Sequence, residues 1–301
     1  MKKNNTDQWF TFDIPSKWNN LSIETILKEK WMVPKKLMHE LRMEKAIQIN
    51  DEIINWKRSL PTGSHCKMAI FKHEDFGVIP KEGFFEVLFE DEHLLVVNKP
   101  AGIDTHPNKE GQTNTLANAI AYYFQQKGEF CKIRHVHRLD KDTSGAILFA
   151  KHALSHAMLD RMLNERSIKR TYLALVQGLI SSNSLMINEP IGRDRHHPTR
   201  RRVSKTGQTA LTKVTSIKRF AKDQLSLIQC SLDTGRTHQI RVHLSFIGHP
   251  LAGDKLYGGK PIFSRQALHA RKLSFIHPLT EEKIECIAPF LDKPAIFEKY
   301  I

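Results

Sequence analysis

Apolar positions in the first quarter of the chain repeat with a helical period. Ile23, Ile26 and Leu27 share one face behind Ser22, which can cap a helix start. Pro34 suits the first turn of a second helix over 35–44, in which Leu37 and Leu41 accompany the bases Lys35, Lys36 and Arg42. The period then shortens. Residues 47–54 read as strand, turn and strand around Asn50-Asp51, and a turn over 60–64 precedes the apolar stretch 68–71. The segment 73–83 contains Gly77, Pro80 and Gly83 and reads as a linker. A small module over 13–73 is therefore expected ahead of a larger domain over 84–301.

The larger part alternates mainly as strands. Runs at 85–89 and 94–97 flank the turn Asp91-Glu92-His93, a hairpin signal. The run 146–150 is apolar at every position and predicts a buried strand. Further strands are expected at 169–177, 209–217, 225–232 and 284–288. Helical periods cover 115–127, ending at Gly128, and 153–165. A third helix is expected to start at a Thr237 cap, bury Ile240, Leu244 and Ile247, and end at Gly248. The fold class is α+β, with a mixed, mainly antiparallel sheet.

Composition narrows the partner. The 301 residues carry 46 Lys+Arg against 32 Asp+Glu, a formal net charge of +14. That excess favours a polyanion, and nucleic acid before membrane, because no segment reads as a basic amphipathic anchor. No apolar run approaches the ~20 residues of a membrane span. The polar start, Met1-Lys2-Lys3-Asn4-Asn5, has no apolar core of a secretory signal. Cys66, Cys131, Cys230 and Cys286 are scattered, without a Cys-x-x-Cys pair, and read as reduced thiols of a cytoplasmic protein. His152 and His156 are four apart, but Ala153 stands where a zinc protease needs glutamate, so no metal is expected.

Four polar clusters carry the candidate chemistry. The first is His137-Arg138-Leu139-Asp140-Lys141-Asp142-Thr143-Ser144-Gly145, a turn backed by the apolar run. It places Asp140 on a rigid support beside Arg138, a cation that favours the ionised form, as a cofactor-free nucleophile or base requires. The second, Gly235-Arg236-Thr237-His238-Gln239-Ile240-Arg241-Val242-His243, puts Arg236 at a strand-to-helix junction, where donors can converge on an anion. The others are Asn98-Lys99-Pro100-Ala101-Gly102, followed by Thr105-His106-Pro107, and Lys169-Arg170-Thr171-Tyr172. Arg193, Arg195, Arg200, Arg201 and Arg202 crowd one loop together with His196 and His197. Read on its own that loop is a solvated charge run.

These clusters resemble the RluA/RluD family of pseudouridine synthases over about residues 84–301, with Gly248-His249-Pro250-Leu251-Ala252-Gly253-Asp254 and Tyr257-Gly258 extending the likeness. The resemblance implies the pseudouridine synthase fold and isomerisation of a specific uridine in structured ribosomal or transfer RNA. It makes Asp140 the catalytic aspartate, Tyr172 the ring that stacks on uracil, and Arg236 the basic partner of Asp140. Arg138 would help flip the uridine out. The module over 13–73 resembles the alpha-L RNA-binding motif, with Lys35, Lys36 and Arg42 as phosphate contacts; a helical cap on the main domain is the alternative. Arg200, Arg201 and Arg202 are expected to grip the RNA. Isomerisation requires no metal or cofactor, and a monomer acting on RNA is expected. Two rivals remain on sequence grounds: a non-catalytic RNA-binding protein that kept the fold, and a hydrolase using Asp140 with a histidine.

Overall fold

The computed structural model describes residues 9–301, so the polar start Met1-Lys2-Lys3-Asn4-Asn5 lies outside the described residues. The N-terminal module contains β1 (Trp9–Asp13), the short α1 (Ile23–Thr25) continuing as a π-helical turn Ile26–Lys30, α2 (Lys35–Met43), β2 (Ile47–Ile49) and β3 (His65–Ala69). The strands form an antiparallel sheet in the order β1-β3-β2. Ser22 caps α1 as expected, its hydroxyl accepting from the Thr25 amide. Asn50 and Asp51 both have positive φ, which fits a turn matched to the twist of the flanking strands. The expected strand after this turn is reduced to one bridge between Ile49 and Glu52. The sheet also begins before residue 13, because β1 pairs from Trp9 onward with Ala69.

The remainder is built on β4 (Glu86–Glu90), β5 (Leu94–Lys99), α3 (Leu116–Gln126), β6 (Arg134–His135), β7 (Ser144–Ala150), α4 (Ala153–Asn164), β8 (Lys169–Gln177), β9 (Ser184–Asn188), β10 (Ile191–Arg193), β11 (Arg201–Val203), β12 (Leu211–Phe220), β13 (Leu225–Leu232), α5 (Gln239–Phe246), β14 (Leu268–Ile276) and β15 (Lys283–Ile287). One sheet runs β4-β5-β7-β14-β8-β13-β12-β9, with β6 beside β7 and β15 beside β14. Of its strand junctions only β7–β14 is parallel. The sheet is thus mixed and mainly antiparallel, as expected.

Both faces of its centre are covered, which explains the unbroken apolar runs. On one face Leu95, Val97, Ile147 and Phe149 pack with Leu116, Ile120 and Phe124 of α3 and with Ile240 and Leu244 of α5. On the other, Leu94, Val96, Ala146 and Leu148 pack with Leu159 and Met162 of α4. The opposite part of α4 supplies Leu154 and Met158 to the core of the N-terminal module. Gly145 lets the parallel junction close: a Cβ there would lie 2.3 Å from the Ala270 carbonyl oxygen. Among the described residues no helix is long and apolar enough to cross a membrane.

Candidate active site

Asp140 lies in the loop leading into β7, in a turn closed by the Thr143 amide donating to its carbonyl oxygen. The Asn98-Lys99-Pro100 segment fixes that loop from one side. Lys99 is fully buried, and its ammonium donates to the carbonyl oxygens of Pro100, Ile103 and Lys141. Burial, with a smaller contribution from the nearby Arg265 charge, pushes its pKa down to about 7. Thr105 adds two bonds, its hydroxyl donating to Leu139 O and accepting from Leu139 N. Arg265 holds the far side, bonding the Asp142 carbonyl oxygen and the carboxylate of Asp292.

The cation beside Asp140 is Arg241, not the expected Arg236. Arg241 Nη1 donates to Asp140 Oδ2 at 3.1 Å. Its Nε and Nη2 form a two-pronged pair with Asp254 at 2.7 and 2.9 Å, and its guanidinium lies over the Tyr257 ring. Burial opposes the charge on Arg241, but the two carboxylates outweigh it and raise the pKa above its ordinary value. Arg236 lines the same cavity, but its Nε donates to the Thr209 carbonyl oxygen and it makes no ion pair with Asp140. The physical reason is where the helix starts. No Thr237 cap forms: His238 takes a left-handed conformation at the N-cap and α5 begins at Gln239. That places Arg241 in the first turn of α5, facing Asp140, and leaves Arg236 in the preceding loop. The Gln239 side chain braces the loop by accepting from Arg236 N and Thr234 Oγ1.

Asp140 opens into a cavity of about 580 Å³. Tyr172 lines it from β8 and is buried, which raises its hydroxyl pKa. Arg138 lies at the cavity's exposed edge, between the buried His137 and Leu139. His238 adds a fourth wall, its Nε2 3.8 Å from Asp140 Oδ2 and its Nδ1 2.8 Å from the Tyr257 hydroxyl. Burial lowers the His238 pKa, so this ring adds little positive charge.

The outlying basic residues divide. Lys35 and Lys36 are exposed on the first turn of α2. Arg42 is engaged inside the module, 3.3 Å from Glu24 and over the Trp56 ring. Arg200 is tied to Asp194 at 2.6 Å, whereas Arg202 is exposed. Arg201 reaches the site through its backbone, its amide donating to the Tyr257 hydroxyl. The four cysteines are unbonded. His152 caps α4 and contacts His93, and no metal-binding cluster occurs among the described residues.

Residues 93–246 match the RNA pseudouridylate synthase family, and residues 10–66 match the RluD ribosomal pseudouridine synthase N-terminal domain. The chain is 51% identical to the uncharacterized RNA pseudouridine synthase YhcT of Bacillus subtilis, over 88% of each chain. It is 36% identical to the ribosomal large subunit pseudouridine synthase D of Neisseria meningitidis, over 83% of this chain and 70% of the relative. Among solved structures it is similar to human RNA pseudouridylate synthase domain containing 1. That likeness has a TM-score of 0.57 and 28% identity, over 70% of this chain and 86% of the other.

Proposed function

The chain belongs to the RNA pseudouridylate synthase family, and we propose that it converts specific uridines of ribosomal RNA to pseudouridine with Asp140 as its catalytic carboxylate. The observation that carries the assignment is the Asp140–Arg241–Asp254 array at the cavity wall. The reaction breaks the base–sugar bond, turns the uracil and rejoins it through a ring carbon, with no redox change. It needs a carboxylate beside sugar and base, a cation to balance it, and a flat surface to retain the free base. Asp140, Arg241 and Tyr172 have these properties. Arg241 also carries an anchor, because Asp254 grips the guanidinium from behind and fixes the direction of the remaining Nη1 donor.

The target base cannot be reached while stacked, and flipping it out costs a few kcal/mol. Arg138 at the exposed edge of the cavity is suited to fill the vacated space. Arg236 contributes to the RNA-facing wall rather than to the ion pair. Lys35, Lys36 and Arg202 supply phosphate contacts, which carry affinity but no base information. Ribosomal RNA is favoured over transfer RNA by the relatives named ribosomal large subunit pseudouridine synthase D and by the match to their N-terminal domain. A monomer working in the cytoplasm completes the reading.

The test maps pseudouridines in total RNA from cells with and without the protein, and again with Asp140→Asn restored. One or a few ribosomal RNA sites are expected to vanish without the protein and to stay absent with Asp140→Asn. Sites restored by Asp140→Asn would overturn the catalytic role. RNA shortened or uracil released by the purified protein would indicate hydrolysis instead.

A further inference from the structure

Three arginines among the described residues are more than nine-tenths buried, and the guanidinium groups of two of them are satisfied. Arg241 serves Asp254 and Asp140, and Arg265 serves Asp292, Ser144 and three carbonyl oxygens. Arg170 is as buried as Arg265, at 8% exposure. Its Nε is buried without a hydrogen-bond partner, and no described carboxylate forms an ion pair with it. A buried cation without an anion is among the costliest groups a fold can carry, and it persists only where something else completes it.

The location indicates what completes it. Arg170 lies two residues before Tyr172 on β8 and on the same face, since both are buried while Thr171 between them is not. Both line the cavity that holds Asp140. None of the three carboxylates lining the cavity pairs with it: Asp140 is engaged by Arg241 and Asp233 by Lys213 at 3.0 Å, while Asp160 on α4 meets only the Asn164 side chain at 3.5 Å. Gly235 keeps the guanidinium's space open. A Cβ there would lie 3.1 Å from Arg170 Nη1, a tight approach, and the Gly235 backbone needs no left-handed conformation. The neighbouring His137 adds no second charge, because burial, helped by Arg170 itself, lowers its pKa to about 3.

We propose that Arg170 binds a phosphate flanking the flipped uridine, and so positions the nucleotide with its base on Tyr172 and its sugar at Asp140. The proposal rests on the RNA-modifying reading of the cavity. Base and ribose are neutral, so in an RNA substrate only the phosphodiester can supply the missing anion. The planar fork of arginine matches two phosphate oxygens at once. Tyr172 and Arg170 are separated by two residues of strand, about 6.6 Å, which is the scale of a single nucleotide.

The test compares binding of uridine, uridine 5′-monophosphate and uridine 3′-monophosphate by calorimetry at low salt. Wild type, Arg170→Gln and Arg170→Lys are measured with thermal unfolding of each as the folding control. Wild type is expected to prefer at least one monophosphate over uridine by tenfold or more. Arg170→Gln should reduce that preference to within twofold. Arg170→Lys should keep a fraction of it, because the charge stays and the fork is lost. Equal binding of all three probes by wild type, or a preference that survives in Arg170→Gln, overturns the proposal. Should Arg170→Gln fail to fold, a wild-type preference in Arg170→Lys overturns it. The assay reads no turnover, so its failure is separate from a failure of the pseudouridine mapping.

Discussion

Replacing Arg241 by methionine separates its two duties. Asp254 is 1% exposed, and both its carboxylate oxygens bond Arg241. Removing the guanidinium therefore leaves a buried carboxylate without its cation, which costs about 3–5 kcal/mol. For a domain of this size each kcal/mol lowers Tm by about 2–4 °C, so Arg241→Met should melt roughly 6–20 °C below wild type. The rate should fall on the order of 10²–10³, the usual loss of one preorganised electrostatic group. The double variant Arg241→Met with Asp254→Leu removes both buried charges. It should regain most of the stability, because well-packed apolar side chains replace a buried pair at little cost. Its activity should stay low, because Asp140 still lacks its cation. Arg236→Met removes only an exposed bond to a carbonyl oxygen and should shift stability by about 1 kcal/mol or less. Thermal unfolding and pseudouridine formation on ribosomal RNA are measured on all four proteins. The reasoning fails if Arg241→Met melts with wild type, if the double variant regains activity with stability, or if Arg236→Met is the inactive one.

Tyr172→Phe should keep base stacking and most uridine binding, and Tyr172→Ala should lose both; equal loss in calorimetric titrations would make the hydroxyl, not the ring face, the contact. Replacing Arg200, Arg201 and Arg202 with Ala should flatten the slope of log affinity against log salt by roughly 0.7–0.9 for each phosphate no longer neutralised. Because Arg200 is paired with Asp194, the whole change should correspond to about one or two phosphates. Superimposable salt titrations would rule the loop out. Stability should fall as pH drops from 6.5 toward 4. Burial holds His93 and His269 down to about 4 and His137 to about 3, so the fold keeps them neutral while the unfolded chain takes up protons below 6.5. Each should contribute a loss of roughly 1 kcal/mol by pH 5.5. Urea unfolding at pH 7.5 and 5.5 measures this, and equal midpoints would contradict it.

Elements legible in the sequence are those whose burial is uniform or strictly periodic. The β5 and β7 runs, the α3 and α4 faces and the whole of β8 fall where the pattern puts them. The central β14 is not legible, because its sequence Leu268-His269-Ala270-Arg271-Lys272-Leu273 reads as polar. His269 is nonetheless fully buried, satisfied by Ser144 and the Ala288 carbonyl oxygen. A polar residue that is buried with its partners looks, in one dimension, the same as an exposed one. The docking of the N-terminal module is hidden for a related reason. Leu154 and Met158 continue the apolar pattern of α4, and nothing in that pattern distinguishes the side facing the sheet from the side facing the module.

The candidate site shows the same limit in its electrostatics. Asp140, Tyr172 and the arginine-containing motif are picked out by their likeness to the pseudouridine synthases; by residue type alone Asp140 reads as a turn carboxylate and Tyr172 as a strand tyrosine. The partner of Asp140 cannot be picked out, because both Arg236 and Arg241 satisfy the motif and their roles depend on one backbone conformation. A left-handed His238 starts the helix one residue later than a threonine cap would, and that shift decides which guanidinium turns toward the carboxylate. The choice is then fixed by a residue distant in sequence. Asp254 binds Nε and Nη2 of Arg241 and leaves Nη1 to point at Asp140. Arg170 follows the opposite course: it has no carboxylate to claim it, and its guanidinium is left at the cavity wall beside the same catalytic candidates. Buried arginines in this fold thus sort by whether the protein or the substrate provides the anion. The first kind builds the site, and the second kind selects what enters it.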